Sequence, residues 1–108
     1  MKEPWTALPK KDLMMELFMA EQNLNSQQET YWNKIRLSPE IWKCIDVIED
    51  YFWVVAQTNK YVVWYNDIEE SFNLSSYQIA GEIREYHASK QELNNVLEKL
   101  LYLENKKT

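Results

Sequence analysis

The stretch Tyr51–Phe72, YFWVVAQTNKYVVWYNDIEESF, decides the fold of this chain. It holds two short runs rich in aromatic and β-branched residues, Tyr51–Ala56 and Tyr61–Tyr65, separated by the polar break Gln57–Lys60. Such runs favour strands, and a short polar break between them predicts a β-hairpin. Alternate residues of a strand point to opposite faces, yet neither face of this hairpin is polar. We therefore expect helices to cover one face and the other face to be partly covered or used for binding.

The segment directly after the second run concentrates negative charge. Within Asn66–Glu70, three of four consecutive positions carry carboxylates. Apolar side chains inside a charged rim are typical of protein interfaces. We therefore predict a surface for a basic protein partner, while a merely solvated acidic face or a cation site remains an alternative. The predicted partner-binding residues are the acids and the neighbouring aromatic residues: Trp53, Trp64, Tyr65, Asp67, Glu69, Glu70 and Phe72.

The rest of the chain predicts an α+β domain in which helices pack on a small antiparallel sheet. A length of 108 residues is typical of one domain, with an irregular arm at residues 1–9 and a frayed tail at 104–108. Helical spacing, capping patterns and polar–apolar alternation predict four helices and a third strand. The helices are Lys10–Asn23, Gln27–Arg36 after a capping box at Ser26–Glu29, Pro39–Cys44, and Lys90–Leu103 after a second box at Ser89–Glu92, and one bent helix is the alternative for the first two. The strand is Glu82–Tyr86, and Asn66–Tyr77 is predicted to be a loop.

The predicted core joins the helices to the hairpin. Leu13, Leu17, Ala20 and Leu24 repeat at helical spacing, and Met14 and Phe18 broaden that stripe. The sheet is expected to contribute Phe52, Val54, Val63 and Ile83, packed by Leu93, Leu97 and Leu100. Asn66 and Asn73 are expected to hydrogen-bond the backbone around the acidic segment.

Composition argues for binding rather than catalysis. Gly81 is the only glycine, which excludes glycine-rich phosphate loops. His87 is the only histidine and Cys44 the only cysteine, so neither a multi-histidine nor a CxxC metal site is possible. Nothing in the sequence joins these two residues into a dyad, and we predict no enzyme activity and no cofactor. A carboxylate-dependent enzyme is the least favoured alternative.

The charge distribution bears on the choice of partner. Residues 40–85 carry nine acidic and three basic side chains, whereas the rest of the chain carries eight and nine. A negative surface repels nucleic acid and anionic membranes and attracts basic proteins. The sequence also lacks an apolar run long enough to span a membrane and the apolar region of a signal peptide. We therefore expect a cytoplasmic protein.

The pattern FWVVA…YVVWYNDIEESFN, with Ser75-Ser76-Tyr77, Gly81-Glu82-Ile83, Glu85-Tyr86 and Gln91-Glu92-Leu93 after it, resembles a small bacterial α+β family. The resemblance covers roughly Ile35–Leu101. That family usually has Gly in the place of Ser71, and it supplies no catalytic residues to transfer. Size, acidity and fold class are similar to those of immunity proteins, which bind and block bacterial toxins, an analogy of general character. The alternative is a small regulatory or structural module that homodimerises through its aromatic hairpin.

Overall fold

The computed structural model describes residues 8–45, 49–86 and 90–105 and confirms an α+β architecture. The strand order in the sheet is β4-β3-β2-β1-β5. The first four strands are antiparallel neighbours, whereas β5 runs parallel to β1, so the sheet is mixed rather than purely antiparallel. In chain order the elements are α1 Lys10–Glu21, α2 Ser26–Ile35, β1 Arg36–Ile45, β2 Glu49–Gln57, β3 Tyr61–Asn66, β4 Ser71–Ser76, β5 Glu82–Ile83 and α3 Leu93–Asn105.

The predicted hairpin is confirmed as β2 and β3, but two other predictions are wrong. The expected helix Pro39–Cys44 is part of β1, where Trp42 and Cys44 alternate inward against β2. The β1–β2 register slips between Arg36 and Glu40, and Pro39 lies in that irregularity, which does not need its missing N–H. The expected loop Asn66–Tyr77 contains β4, which pairs with β3 along its whole length.

The helix boundaries differ from the prediction in smaller ways. At the start of α2 the cap is Asn25 rather than Ser26: Asn25 Oδ1 accepts from Gln28 N at 2.8 Å, and Gln28 Oε1 accepts from Asn25 N at 2.9 Å. The strand predicted at Glu82–Tyr86 is observed as β5, which contains only Glu82 and Ile83. The tail remains helical through residue 105, whereas Ser89 of the second predicted box, the arm before Leu8 and residues 106–108 lie outside the described residues.

The sheet is strongly curled. Glu85 follows β5 by two residues, yet its carbonyl oxygen accepts a 2.7 Å hydrogen bond from Ser75 Oγ of β4, at the opposite edge of the sheet. Four strand spacings would separate these edges by about 19 Å in a flat sheet. Two residues of extended chain span only about 7 Å. The sheet therefore bends toward closure, and the irregular β1–β2 and β2–β3 pairings are the kind of feature that allows such bending.

The curled sheet separates two cores. The outer core lies between the convex face and the helices, and α3 supplies four buried residues at helical spacing to it. The inner core fills the concave face, where Phe52 and Trp64 rings lie 4.7 Å apart. The outer core contains Leu13, Leu17, Trp32, Val55, Ala56, Val63, Tyr65, Phe72, Leu93, Val96, Leu97 and Leu100. The inner core contains Trp42, Cys44, Phe52, Val54, Val62, Trp64 and Ile83.

This division corrects the predicted core. Phe52, Val54 and Ile83 are buried as expected, but in the inner core, away from the helices that were expected to cover them. Val63 alone of the four lies beneath the helices. The alternation of β3 is confirmed, whereas the β2–β3 register slip between Val54 and Ala56 moves Ala56 to the helix side.

Candidate functional site

The acidic turn, residues 67–70, joins β3 to β4, and a pair of buried side-chain amides stabilises it. Asn66 Oδ1 accepts hydrogen bonds from the backbone N–H groups of Ile68 at 3.1 Å and Glu69 at 3.2 Å. Asn66 Nδ2 donates to Asn73 Oδ1 at 3.0 Å, and both Asn side chains are buried. The structural role predicted for Asn66 and Asn73 is therefore confirmed, because these buried amides fix the backbone of the turn at Ile68 and Glu69.

Glu70 ends the acidic turn in a left-handed backbone conformation, with φ of 54°. A residue with a Cβ pays about 1 kcal/mol or more for this conformation, which glycine adopts freely. The chain nevertheless keeps a charged residue here. The left-handed residue completes the reversal into β4, so its place follows from the hairpin geometry.

The acidic turn forms one wall of a groove whose other wall is α1. This acidic groove has a volume of about 350 Å³ and is lined by the carboxyl-bearing residues Asp12, Glu16, Asp67 and Glu70 together with Leu8, Met15, Met19 and Tyr65. A neighbouring groove shares Glu16, Met19, Tyr65 and Glu70 and adds Glu92. Among the described residues that line the two grooves there is no Lys and no Arg. Within the described part of the chain, the lining of both grooves therefore combines apolar surface with carboxylates and contains no basic side chain.

Burial and the surrounding negative charge both affect the pKa of the Tyr65 hydroxyl. Burial, reinforced by the carboxylates of Glu16, Glu70 and Asp67, raises the pKa of Tyr65 to about 12. Burial and nearby negative charge both disfavour the phenolate, because it too is anionic. A cation bound in the groove would experience the opposite effect and be stabilised by the same carboxylates.

The beginning of the described chain is tied to this site. Leu8 N–H donates to Asp67 Oδ2 at 3.0 Å, and Leu8 carbonyl oxygen accepts from Trp53 Nε1 at 2.6 Å. Trp53 is half-buried and packs against the outer core. These two bonds link the chain just before α1 to both the acidic turn and β2.

Besides the half-buried Trp53, the structure separates the predicted site residues into two groups. Asp67, Glu69 and Glu70 lie together on the turn, where Glu70 is exposed and the other two are partly exposed. Trp64, Tyr65 and Phe72 are buried instead: Trp64 has no exposed surface and donates from Nε1 to Ser75 Oγ at 3.0 Å in the inner core. In this conformation these three aromatic side chains offer a partner little or no surface, because core packing takes up the area that was expected to be free.

Sequence reasoning missed the contribution of α1. Glu16 and Asp12, four positions apart on one side of the helix, face the acidic turn across the groove. Met14 and Phe18, expected in the core stripe, are exposed instead. The repeat of acids at Asp12 and Glu16 beside Met15 and Met19 was the available signal, but it becomes meaningful only when the acidic turn lies opposite.

The metal-site and Cys44–His87 alternatives receive no support from the described residues. Residues 8–45, 49–86 and 90–105 contain no group of three His, Cys, Asp or Glu side chains arranged to hold a metal ion. Cys44 is buried in β1, not in a helix, and His87 lies outside the described residues.

None of the described helices has both the length and the apolar character needed to cross a membrane.

Comparison of the chain with protein-family models, curated protein sequences and solved structures finds no match.

Proposed function

We propose that this chain is a non-enzymatic protein-binding module, and specifically an immunity-type inhibitor that occludes a basic bacterial toxin. The observation that supports the proposal is the acidic groove, in which carboxylates of α1 and of the acidic turn face each other and no described lining residue is Lys or Arg. A Lys or Arg side chain of a partner would enter between Glu16 and Glu70. The backbone of the acidic turn would already have its bound conformation, because Asn66 and Asn73 hold it. Preorganisation of this kind reduces the entropy lost on binding.

Two forces act at different stages of the proposed association. The carboxylates attract a basic partner over long range and so raise the association rate, an effect that salt screens. Apolar surface that is desolvated in the complex then slows dissociation. Occlusion needs no chemistry from this chain, since a bound partner whose basic active surface is covered cannot reach its own substrate.

A second candidate function is homodimerisation, and one observation favours it. Ile41, Ile45 and Tyr51 are exposed on β1 and β2, at the part of the sheet that the helices leave open. These side chains lie on the same face, because Ile41 pairs with Trp53 and Ile45 with Glu49 in the β1–β2 register. A dimer through this face would be driven by apolar burial and would depend little on salt. Sedimentation of Ile41→Gln and the parent chain at two salt concentrations distinguishes the two candidates.

The charge-based proposal is tested by a matched pair of double variants. Glu16→Gln/Glu70→Gln removes two charges from the acidic groove, and Glu29→Gln/Glu82→Gln removes two from elsewhere on the surface. Asp67 is kept because it accepts the Leu8 N–H bond. The partner is captured from source cells by cross-linking, identified by mass spectrometry and then purified. Its association with each variant is followed by stopped flow at low and high salt.

The expected result is an association rate about fivefold lower for the groove variant at low salt, corresponding to roughly 1 kcal/mol of lost attraction. The control variant should keep nearly the parent rate. The parent chain at equimolar concentration should also block the partner's toxicity or enzymatic activity. Equal association rates for the two variants would mean that the acidic groove is only a solvated face.

A further inference from the structure

Helix α1 carries apolar side chains around most of its circumference, yet only one side of it is buried. Leu13 and Leu17 face the outer core. Four further apolar side chains, which we call the apolar tetrad, are between 43% and 63% exposed: Met14, Met15, Phe18 and Met19. At 100° per residue the tetrad covers an arc of about 140°. A helix that is apolar nearly all round is normally covered nearly all round, so this arc has the character of an interface.

The tetrad forms a ridge between two grooves. On one side, Met15 and Met19 line the acidic groove. On the other side, Met14 and Phe18 line a groove of about 510 Å³ that reaches Leu37 and Pro39 in the irregular part of β1. Contiguous exposed apolar surface of this kind marks binding sites, and methionine side chains adapt their shape to different partners.

The two sides of the ridge differ in charge. Glu21, on the Met14 side, forms a 3.1 Å ion pair with Arg36 and also accepts a 2.7 Å hydrogen bond from Trp32 Nε1. Its charge is therefore largely balanced. On the other side Glu16 and Glu70 line a groove to which the described residues contribute no Lys or Arg. A partner that covers the ridge should accordingly carry its positive charges along one edge of an apolar face.

We infer that the apolar tetrad is the docking site for a cationic amphipathic helix of the partner protein. This inference rests on the proposed function and identifies the apolar half of its interface, in place of the buried Trp64 and Phe72. The apolar face of the incoming helix covers Phe18 and the three Met side chains, and its Lys or Arg side chains reach Glu16 and Glu70. Helices commonly bind in this way, with an apolar face against an apolar groove and charges at the rim.

A second copy of this chain fits the same ridge poorly. When two α1 helices pair antiparallel about a two-fold axis, the acidic side of one lies beside the acidic side of the other. When they pair in parallel, Lys11 lies beside its equivalent. Like charges across an interface are unfavourable, so the charge pattern selects a basic partner over self-association.

A synthetic peptide of Leu and Lys, about 18 residues or five helical turns long, tests the inference. Its sequence places Leu on one helical face and Lys on the other, and a fluorescein label reports binding to the full chain by anisotropy. One control peptide has the same composition in scrambled order, and another has Glu in place of Lys. The tetrad variant is Phe18→Gln/Met19→Gln, and its matched control, Ile79→Gln/Tyr102→Gln, changes two exposed apolar residues that line neither groove and lie outside the β1–β2 face.

The expected result is that the Leu/Lys peptide binds, both control peptides bind at least tenfold more weakly, and the tetrad variant loses at least tenfold in affinity. The Ile79→Gln/Tyr102→Gln control should stay within twofold of the parent chain, and thermal melting checks that every variant is folded. An unchanged affinity of the tetrad variant, with weaker binding by Glu16→Gln/Glu70→Gln, would overturn the inference and leave the proposed function standing. The reverse pattern would overturn the cationic partner and the proposed function together. Self-association of the parent chain that the tetrad variant abolishes would assign the ridge to a second copy and also overturn the inference.

Discussion

The substitution Ser75→Ala tests how the curled sheet is held closed. Ser75 is buried on β4, and its hydroxyl joins two parts of the structure. The oxygen accepts from Trp64 Nε1 at 3.0 Å in the inner core, and the O–H donates to the Glu85 carbonyl oxygen at 2.7 Å. Alanine removes both bonds while changing the side-chain volume little. The Trp64 N–H is then left buried without this acceptor.

The cost of Ser75→Ala follows from those two groups. An unsatisfied buried N–H costs about 1–3 kcal/mol. The Glu85 carbonyl belongs to an exposed residue, so water replaces much of its lost bond and the additional cost is about 0.5 kcal/mol. We therefore expect a loss of about 1.5–3.5 kcal/mol in the free energy of unfolding, a large share of the 5–15 kcal/mol of a typical domain.

Urea unfolding followed by far-UV circular dichroism measures this loss. The neighbouring Ser76 provides a matched control, because its side chain is exposed and Ser76→Ala should change stability by less than about 0.5 kcal/mol. In a Trp64→Phe background, which has no indole N–H, Ser75→Ala should cost only about 0.5 kcal/mol. The double-mutant cycle should therefore give a coupling energy of about 1–3 kcal/mol. Equal costs at Ser75 and Ser76, or purely additive effects of Trp64→Phe and Ser75→Ala, would refute this account of the closure.

Three further predictions concern stability. The pKa of Tyr65 is raised to about 12, above the value of about 10 in the unfolded chain, so the free energy of unfolding should hold its full value below pH 10 and fall as the pH rises toward 12. In urea unfolding at several pH values, Tyr65→Phe should reduce that fall. An equal fall in the variant and the parent chain would contradict the raised pKa. Glu70→Gly should leave the melting temperature equal or higher because it relieves the positive φ, whereas Glu70→Val should cost about 1–2 kcal/mol; equal melting of both variants would argue against strain at this position. Val54→Asp should unfold the domain, since it buries a carboxylate in the inner core, and a soluble variant with unchanged melting would show that the strand faces are misassigned.

The parts of the fold that the sequence predicts are those encoded by local periodicity. The alternation in Tyr61–Tyr65 and the leucine spacing of α3 are strong signals, and both elements form as expected. Strand β1 was missed because Ser38-Pro39 is also a common way to begin a helix, and only its pairing with β2 distinguishes the two outcomes. Strand β4 was missed because Asn73 and Ser75, which favour turns in isolation, are satisfied here by Asn66 and Trp64.

The candidate site was less accessible to sequence reasoning than the fold. Both faces of the hairpin are apolar, so the pattern does not say which one the helices cover, and the curl of the sheet that decides this depends on distant contacts such as Ser75–Glu85. The spacing of Met14 and Phe18 on α1 is the same whether they face a core or solvent. Their exposure follows from where α1 packs, which is a tertiary property.

The support of the acidic turn by Asn66 and Asn73 also has a consequence for how such a protein changes over generations. The buried amides fix the path of the backbone, whereas the side chains of Ile68, Glu69 and Glu70 contribute little to that path. Mutations at these positions can therefore change the charge and shape of the surface while the domain keeps its fold. Under the proposed function, a lineage of such modules would follow a changing target by exchanging a few surface residues on an inherited frame.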